Sequence, residues 1–454
     1  MSSRILLLTA IGLALIGTLG ITSPFQAEPT QTYWVDAGHP AASDGNAGTE
    51  SEPWRTIQHA ADVLQPGEQV LVKSGVYTEL YQGTPNTQVA GIKPQESGTP
   101  SAPIIFAAAP GHTPVIDQLG QGTGFYIFKR NHIVIQGFEI RNVEMAGIWT
   151  AVDGARDITL LDNNIHDVDG PRGSNTGAIK LDGCQDCTVQ RNWLHKVRVG
   201  GERELNSAGL HSFDMENTLI ADNLINDVHA GIYHKRSSGG PGAQITRNLL
   251  RDTNIGVLYS VAGGGDPAHR NALVSENEFV QCGRGIVATV HETEEPSRDL
   301  MIRNNAFIDC REGISLLGVD DVTLLNNIFR VDEAAIVTIG DERRPVRISR
   351  SDFNMFDGAV VFISNRFADN ERRYQGLRSW RRDMGFDQQS LEEEVEFRAT
   401  SAEQSWLELS SPALGAGEAG LNIGPHPVEE QVLGPSSFVA PPAPLGLQLS
   451  TDWR

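Results

Sequence analysis

Short runs of apolar residues recur from Ile133 to about Ile336 without helical spacing. Within each run apolar and polar residues alternate, as in strands that bury one face, and Gly, Asn and Asp bound the runs. Each repeat begins with a small residue and an aliphatic one. After a variable loop comes a second apolar run that ends at an asparagine. The pairs that open the repeats are Gly147-Ile148, Gly209-Leu210, Gly231-Ile232, Gly256-Val257, Gly285-Ile286 and Gly313-Ile314.

The asparagines give the repeat its period, with spacings of 29, 31, 25, 29, 28 and 22 residues. Repeats of this length built from short strands are typical of a solenoid, and the fixed frame of a leucine-rich repeat is absent. We therefore predict an all-β chain, a single-stranded right-handed parallel β-helix with coils about 4.8 Å apart. The asparagines should form a ladder at a tight corner, where they tolerate a left-handed backbone and bond to neighbouring coils. They are Asn163, Asn192, Asn223, Asn248, Asn277, Asn305 and Asn327.

The two ends of the chain differ from the repeats. Residues 1–27 combine Arg4, an apolar run and a cleavage point at Ala27, which predicts a signal peptide, with an uncleaved anchor as the alternative. An amphipathic helix with its apolar face at Ile57, Ala60, Ala61 and Leu64 should cap the open N-terminal end. The predicted segments are 28–67 for the N-terminal strand and capping helix, 68–345 for the β-helix, 346–424 for the last coils and C-terminal cap, and 425–454 for a Pro-rich flexible tail.

Charge and cysteine content narrow the setting in which the chain works. A net charge of -21 argues against nucleic acid as a partner. Four cysteines suit an exported protein with few disulfides. Cys184 and Cys187 lie in one turn, where a local disulfide is expected. Cys282 and Cys310 occupy the same place in successive repeats, where they either bridge or, as we favour, pack as small apolar side chains.

Segments at both ends of the chain resemble a known group. "EPWRTIQHAADVLQPGEQVLVKSGVYTE" at residues 52–79 is similar to the opening of secreted bacterial right-handed β-helix proteins, the group that holds pectate, alginate and chondroitin lyases. "DFNMFDGAVV" and "LELSSPALGAGEAGLNIGP" are similar to their usual ending. The resemblance implies this fold and an acidic polysaccharide as the partner. Because the scaffold serves lyases, hydrolases, epimerases and inert proteins, the reaction has to be inferred from the site.

Chemistry in a β-helix must use side chains that point away from the core. With the aliphatic residue of each pair inward, the next residue and the one two further on point outward. Seven such residues span about four coils, roughly 15 Å along the axis, enough for three or four sugar rings. Further along, the first column becomes small and apolar at Leu258, Val287 and Ser315. We call the seven the outward strip: Trp149, Lys180, Asp182, His211, Phe213, Tyr233 and Lys235.

The residue types of the strip favour attack at C5 of a uronic acid. Ten Lys/Arg and eight Asp/Glu between Arg172 and Arg251 make this region cationic within an acidic chain, so that it can steer an anionic polymer. A base removes the C5 proton while a cation neutralises the carboxylate. Loss of the C4 oxygen then gives a lyase, and reprotonation from the other face gives an epimerase. The predicted catalytic residues are Lys235 and His211 as bases and Tyr233 as proton donor; the predicted substrate-binding residues are Trp149, Lys180, Asp182, Phe213 and Arg236.

A calcium site is left open by the sequence. "GGERELNS" places Glu202 and Glu204 beside the strip and is similar to the Glu-x-Glu calcium ligands of the alginate lyase and chondroitinase B family. That family has a lysine five residues later, where this chain has Gly209. Asp182, Asp214 and Glu216 are further oxygen donors that Ca²⁺ could use. Metal dependence is therefore undecided at this stage, with Glu202, Glu204, Asp214 and Glu216 as candidate ligands.

These observations lead to one interpretation and two alternatives. We expect a secreted or periplasmic enzyme, monomeric and free of the membrane after signal cleavage, that is a lyase or C5-epimerase of a uronic-acid polysaccharide. A non-catalytic glycan-binding or envelope-assembly protein is the first alternative. A glycoside hydrolase is the second and weaker one, because hydrolysis needs converging carboxylates and Asp182 is the one outward strand carboxylate of the strip.

Overall fold

The computed structural model describes residues 28–79, 91–151, 154–204, 206–235, 242–261, 269–290, 296–340, 342–358, 360–399, 405–408 and 410–425. The predicted signal peptide lies outside these ranges, as does the predicted tail after its first residue. Neither α-helix in the described ranges has the length and apolar character needed to cross a bilayer.

The described chain winds into a right-handed parallel β-helix, as predicted. One strand per coil builds a flat sheet of 12 parallel strands in which each coil pairs with the next. This sheet forms the first face. Its strands are Gln31–Val35, Glu68–Val72, Ile104–Ala108, Ile133–Gln136, Ile158–Leu161, Thr188–Gln190, Leu219–Ala221, Gln244–Thr246, Arg270–Ser275, Ser297–Arg303, Val319–Leu325 and Ile348–Asp352.

The remaining strands of the coils belong to a second sheet of 20 strands. Several of them are long and bend partway, so this sheet wraps over two faces of the coil. We call the face that follows the first sheet in each coil the second face, and the one after it the third face. The strands are Gly75–Tyr77, Pro114–Asp117, Thr123–Ile127, Glu139–Val143, Ala146–Thr150, Asn164–Gly170, Thr176–Asp182, Trp193–His195, Val197–Val199, Ser207–Phe213, Leu224–His234, Leu249–Val261, Glu278–Val280, Arg284–Val290, Ala306–Leu317, Ile328–Ile339, Met355–Phe356, Val361–Arg366, Arg372–Gln375 and Leu391–Glu392.

The predicted asparagine ladder occupies the corner between the first and second faces. Each amide oxygen accepts hydrogen bonds from the asparagine of the preceding coil, as where Asn248 Oδ1 accepts from Asn223 N at 3.0 Å and from Asn223 Nδ2 at 2.9 Å. The ladder runs one coil further than predicted, to Asn354. The left-handed conformation is not at the asparagines but one residue earlier, as at Asp222 with φ 58°. The sharp bend falls there, which leaves each asparagine free to point inward and bond along the stack.

The glycine of each repeat is explained by the core beneath it. A Cβ built on Gly285 would lie 2.3 Å from Cδ1 of Phe307, and one on Gly313 would lie 2.7 Å from Cδ1 of Phe329. The chain turns onto the third face at these positions, directly over the inward side chains of the second face. Only glycine permits so close an approach.

Replacing Asn248 by Ala should lower the free energy of unfolding by about 2–4 kcal/mol. Both Asn223 donors lose their acceptor in a buried position, where water cannot replace it. Thermal or urea unfolding of the purified variant measures the loss. Thr323→Ala, on a partly exposed strand position of the first face, is the control and should change stability by less than about 0.5 kcal/mol. Equal stability of the two variants would contradict a stabilising role for the ladder.

Both ends of the coil are covered. Helix α1, Ile57–Val63, lies where the capping helix is predicted and buries Ile57, Ala60 and Ala61 against the first coils. Helix α2, Leu377–Met384, covers the other end with Trp380, whose ring stacks on Phe362 at 4.7 Å. A short antiparallel pair, Phe397–Ala399 with Ser405–Leu407, follows it, and a 3₁₀ turn lies at Glu418–Gly420.

The four cysteines follow the expectations. Cys184 and Cys187 form a disulfide with their Cα atoms 6.1 Å apart. Cys282 and Cys310 are free and buried, and Cys310 Sγ contacts the carbonyl oxygen of Phe279 at 3.3 Å. Of the two options left open for this pair, the structure has the packed one.

Candidate functional site

The outward strip has the register that the repeat pattern predicts. On the third face Trp149 pairs with Lys180, Lys180 with His211, and His211 with Tyr233. In the second column Asp182 pairs with Phe213. Lys235 follows in the next coil, and its N–H donates to the carbonyl of Ser212 at 2.9 Å, beside Phe213. The column continues to Leu258, Val287 and Ser315, as expected.

The expectation that the strip faces solvent throughout is wrong for four of its members. The exposed fraction is 6 % for Lys180, 3 % for Asp182, 0 % for His211 and 3 % for Tyr233. They point away from the core, but the large side chains of adjacent coils cover them at the short spacing of the rungs. Sequence alternation distinguishes inward from outward and carries no information on what lies over an outward side chain.

Lys180, Asp182 and Trp149 form one buried unit. Lys180 Nζ lies 3.3 Å from Asp182 Oδ2 and 3.9 Å from the centroid of the Trp149 ring, and Trp149 Nε1 donates to the same Oδ2 at 2.8 Å. The other carboxylate oxygen, Oδ1, is buried without a hydrogen-bond partner in the structure. Burial lowers the pKa of Lys180 and raises the pKa of Asp182, and the attraction between the two groups opposes both shifts.

Lys235 lies at the partly exposed end of the strip. Its Nζ donates to Oδ1 of Asn175 at 2.8 Å and of Asn206 at 3.4 Å, two residues on the loops that precede the neighbouring strands. The ammonium also lies 5.7 Å from the ring centroids of both Phe213 and Tyr233. Partial burial lowers the pKa of Lys235, and the positive charge of Lys180 lowers it further. A lysine of this kind can serve as a general base more readily than one in water.

The rings of His211 and Tyr233 pack beneath this lysine, with their centroids 5.0 Å apart and their planes tilted by 59°. Neither ring nitrogen of His211 has a hydrogen-bond partner in the structure. Burial, together with the charges of Lys180 and Lys235, holds the pKa of His211 well below its usual value, so the imidazole is neutral. Burial raises the pKa of Tyr233, so its phenol keeps its proton. The neutral base and the protonated phenol are the states that proton abstraction and donation require.

Several residues of the site were missed from sequence. The outward column starts earlier than Trp149, because Tyr126 pairs with it in the preceding coil and the two rings lie 5.4 Å apart. A Gly-aromatic pair at Gly124-Phe125 repeats the pattern of Gly147-Ile148 and could have revealed Tyr126. No repeat signal marks Asn175 or Asn206, since both lie in loops of variable length.

The candidate calcium ligands do not converge in the described residues, where no three His, Cys, Asp or Glu side chains are grouped as a metal site requires. Glu204 instead bonds Arg172 at 3.3 Å and Glu216 bonds Gln185 at 3.2 Å. Glu202 lies on an exposed loop, and Asp214 is partly exposed beyond the strand that carries Phe213. Arg236, predicted to bind carboxylate, is outside the described residues.

Two family models match the chain in succession. Residues 37–182 match "Pel9A-like, right handed beta helix region", and residues 198–379 match "Periplasmic copper-binding protein (NosD)". Together they span the coils from the first to the C-terminal cap. The first of these matches supports a pectate-lyase-like right-handed β-helix over the first third of the chain. In the described part of the second region no three His, Cys, Asp or Glu side chains are grouped as a metal site requires, and its two cysteines lie buried in the core.

Individual proteins that are similar to this chain are distant in sequence. "Uncharacterized protein YwoF" of Bacillus subtilis (strain 168) is 23% identical over 447 residues, 82% of this chain and 91% of the relative. The solved structure of pectate lyase Pel9A has a TM-score of 0.34 at 13% identity and covers 66% of this chain and 80% of its own. That of XylC with xylose has a TM-score of 0.50 at 12% identity, covering 88% and 99%. The similarity to XylC supports the fold.

Proposed function

We propose that this β-helix protein is an exported enzyme, secreted or periplasmic, that acts on a uronic-acid polysaccharide by β-elimination or by C5 epimerisation. The observation that carries the proposal is the outward strip itself. Two lysines with lowered pKa, a neutral imidazole and a protonated phenol lie within adjacent coils between aromatic rings. The first third of the chain also matches a family model named after Pel9A, a pectate lyase.

Lys235 is the proposed base. Of the two base candidates it is the one that a polymer lying on the strip can reach, since His211 is fully buried. Neutral Lys235 takes the C5 proton, and the electron pair left on C5 is stabilised through the carboxylate, near the positive charge of Lys180. In elimination the pair forms the C4–C5 double bond while the C4–O bond breaks.

Tyr233 is the proposed proton donor. Its phenol gives a proton to the departing C4 oxygen in elimination, or to the opposite face of C5 in epimerisation. His211 packs against the Tyr233 ring and is assigned a positioning role, because it is 0 % exposed, whereas Tyr233 is largely covered but keeps an exposed fraction of 3 %. Trp149 and Phe213 are proposed to stack on sugar faces.

Hydrolysis is disfavoured by the state of the carboxylate. Asp182 is buried and paired with Lys180, whereas a glycosidase needs two carboxyl groups flanking the scissile bond. The non-catalytic alternative is kept as the second candidate, because aromatic rings and ammonium groups also suit simple glycan binding.

Incubating the purified chain with alginate, pectate and glycosaminoglycans tests the proposal. We expect unsaturated products, detected by ultraviolet absorbance, with one of these polymers if the enzyme is a lyase. If it is an epimerase, proton NMR will instead show a changed uronate configuration without chain cleavage. Absence of both changes with every polymer would favour the binding protein.

A further inference from the structure

We propose that the acidic glycan is bound well beyond the outward strip, by a platform two coils further towards the N-terminus. The platform consists of Lys93, Tyr126, Phe128 and Lys129. The platform would bind sugar units of an anionic oligosaccharide other than the one that reacts. The identity of this ligand rests on the proposed function. None of these four residues belongs to the strip predicted from sequence.

The register places the platform in line with the strip. Ile92 forms a parallel bridge with Phe125, and Phe125 pairs with Ile148. Lys93 and Tyr126, each one residue further, therefore share the outward column of Trp149. This lengthens the column from about 15 Å to roughly 24 Å, room for about two more sugar rings on the same scale.

The side chains of the platform alternate apolar surface with positive charge. Tyr126 and Phe128 stack with ring centroids 6.0 Å apart and planes 10° from parallel, and Phe128 is 36 % exposed. Lys93 Nζ lies 5.8 Å from the Tyr126 centroid and 5.5 Å from that of Phe128, while Lys129 Nζ lies 5.2 Å from Phe128. A uronic acid offers the complement, an apolar ring face beside a carboxylate.

The platform is held by the capping helix rather than by a flexible loop. The Lys93 N–H donates to Oε1 of Gln58 in α1 at 2.9 Å, and Nε2 of Gln58 donates to the Lys93 carbonyl at 3.2 Å. The Gln95 N–H bonds the Ala61 carbonyl of the same helix at 2.9 Å. These bonds fix the backbone that carries Lys93, so ligand binding has only its side chain left to order.

On the other side of the reacting residues the described column is apolar. Leu258 and Val287 follow Tyr233 and are 4 % and 5 % exposed. Among the described residues of the column, charged and aromatic groups therefore continue from the strip towards Lys93 and not towards Leu258. We infer that the reacting sugar lies near one end of the bound segment and that long oligosaccharides are preferred over short ones.

The experiment compares hexasaccharides and trisaccharides of the polymer that the chain turns over. Phe128→Ala and Lys93→Gln should each lower kcat/KM for the hexasaccharide by about tenfold, mainly through KM, and leave the trisaccharide within about twofold. Phe367→Ala is the matched control, because Phe367 is an exposed phenylalanine beneath Arg366 at the far end of the coil. It should change neither substrate.

Equal losses on both lengths, or no loss on either, would overturn the platform while leaving the proposed function intact. If the natural chain turns over no polymer, the platform is tested by binding instead. Calorimetry then measures the affinity for oligogalacturonate and oligomannuronate hexasaccharides. If a hexasaccharide binds and Phe128→Ala weakens this binding, the platform is supported and the enzymatic function is rejected. If neither hexasaccharide binds, the platform is rejected as well.

Discussion

The Lys235→Ala variant should turn over the polysaccharide about 10² to 10⁴ times more slowly than the natural chain, with KM little changed. The variant lacks the group that takes the C5 proton, while the aromatic surfaces that bind sugar remain. Its fold should persist, since the ammonium bonds two loop asparagines from a partly exposed position and fills no core space. Rates at saturating polymer, with circular dichroism of the variant, measure both effects.

Two further variants sharpen the result. Lys235→Arg places a guanidinium at this position. Because a guanidinium does not lose its proton near neutral pH, it cannot act as a base, and this variant should be as inactive as Lys235→Ala. Lys196→Ala removes a half-exposed lysine outside the strip and should keep the full rate. Full activity of Lys235→Ala would remove this residue from the mechanism.

The pH profile of the natural chain separates the two base candidates. A base acts in its neutral form, so kcat/KM rises as the pH rises through the pKa of that group. The pKa of Lys235 is lowered from 10.5 by burial and by Lys180, so the rise should lie below that value. The pKa of His211 is far below 6.5. A rise confined to acidic pH would therefore assign the base role to His211.

Replacing Lys180 by Met should cost about 3–5 kcal/mol in the free energy of unfolding, because the Asp182 carboxylate stays buried without its partner. The loss should grow with pH. A carboxyl whose pKa is raised by burial holds its proton in the folded state, so stability is lost as the pH rises through that pKa. Urea unfolding at acidic and at neutral pH measures the difference.

The double variant Lys180→Met with Asp182→Asn should regain most of the stability. It removes both charges and leaves an amide oxygen to accept from Trp149 Nε1. Arg373→Met breaks a surface pair with Glu371 and should leave the stability close to that of the natural chain. A single Lys180→Met variant as stable as its double would show that the buried pair carries no charge.

The fold and the register of the site follow from local rules that produce recognisable patterns in the sequence. A strand alternates with a period of two, so fixing one inward residue per coil, such as Ile179 or Leu210, fixes the direction of its neighbours. Glycine and asparagine mark the two corners because the first permits contact with the core and the second bonds along the stack. Because these constraints recur in successive coils, they appear in the sequence as a repeat.

The sequence by itself determined a parallel β-helix, its ladder and the column that holds Trp149, Lys180, His211 and Tyr233. Only the tertiary structure decided that Lys180, His211 and Tyr233 are buried and that Lys93 joins the column. It also brought Lys235 to Asn175, 60 residues away. The physical reason is that the alternation of a strand sets the direction of each side chain. Whether another residue covers that side chain depends on loops and caps of irregular length, which the repeat pattern does not predict.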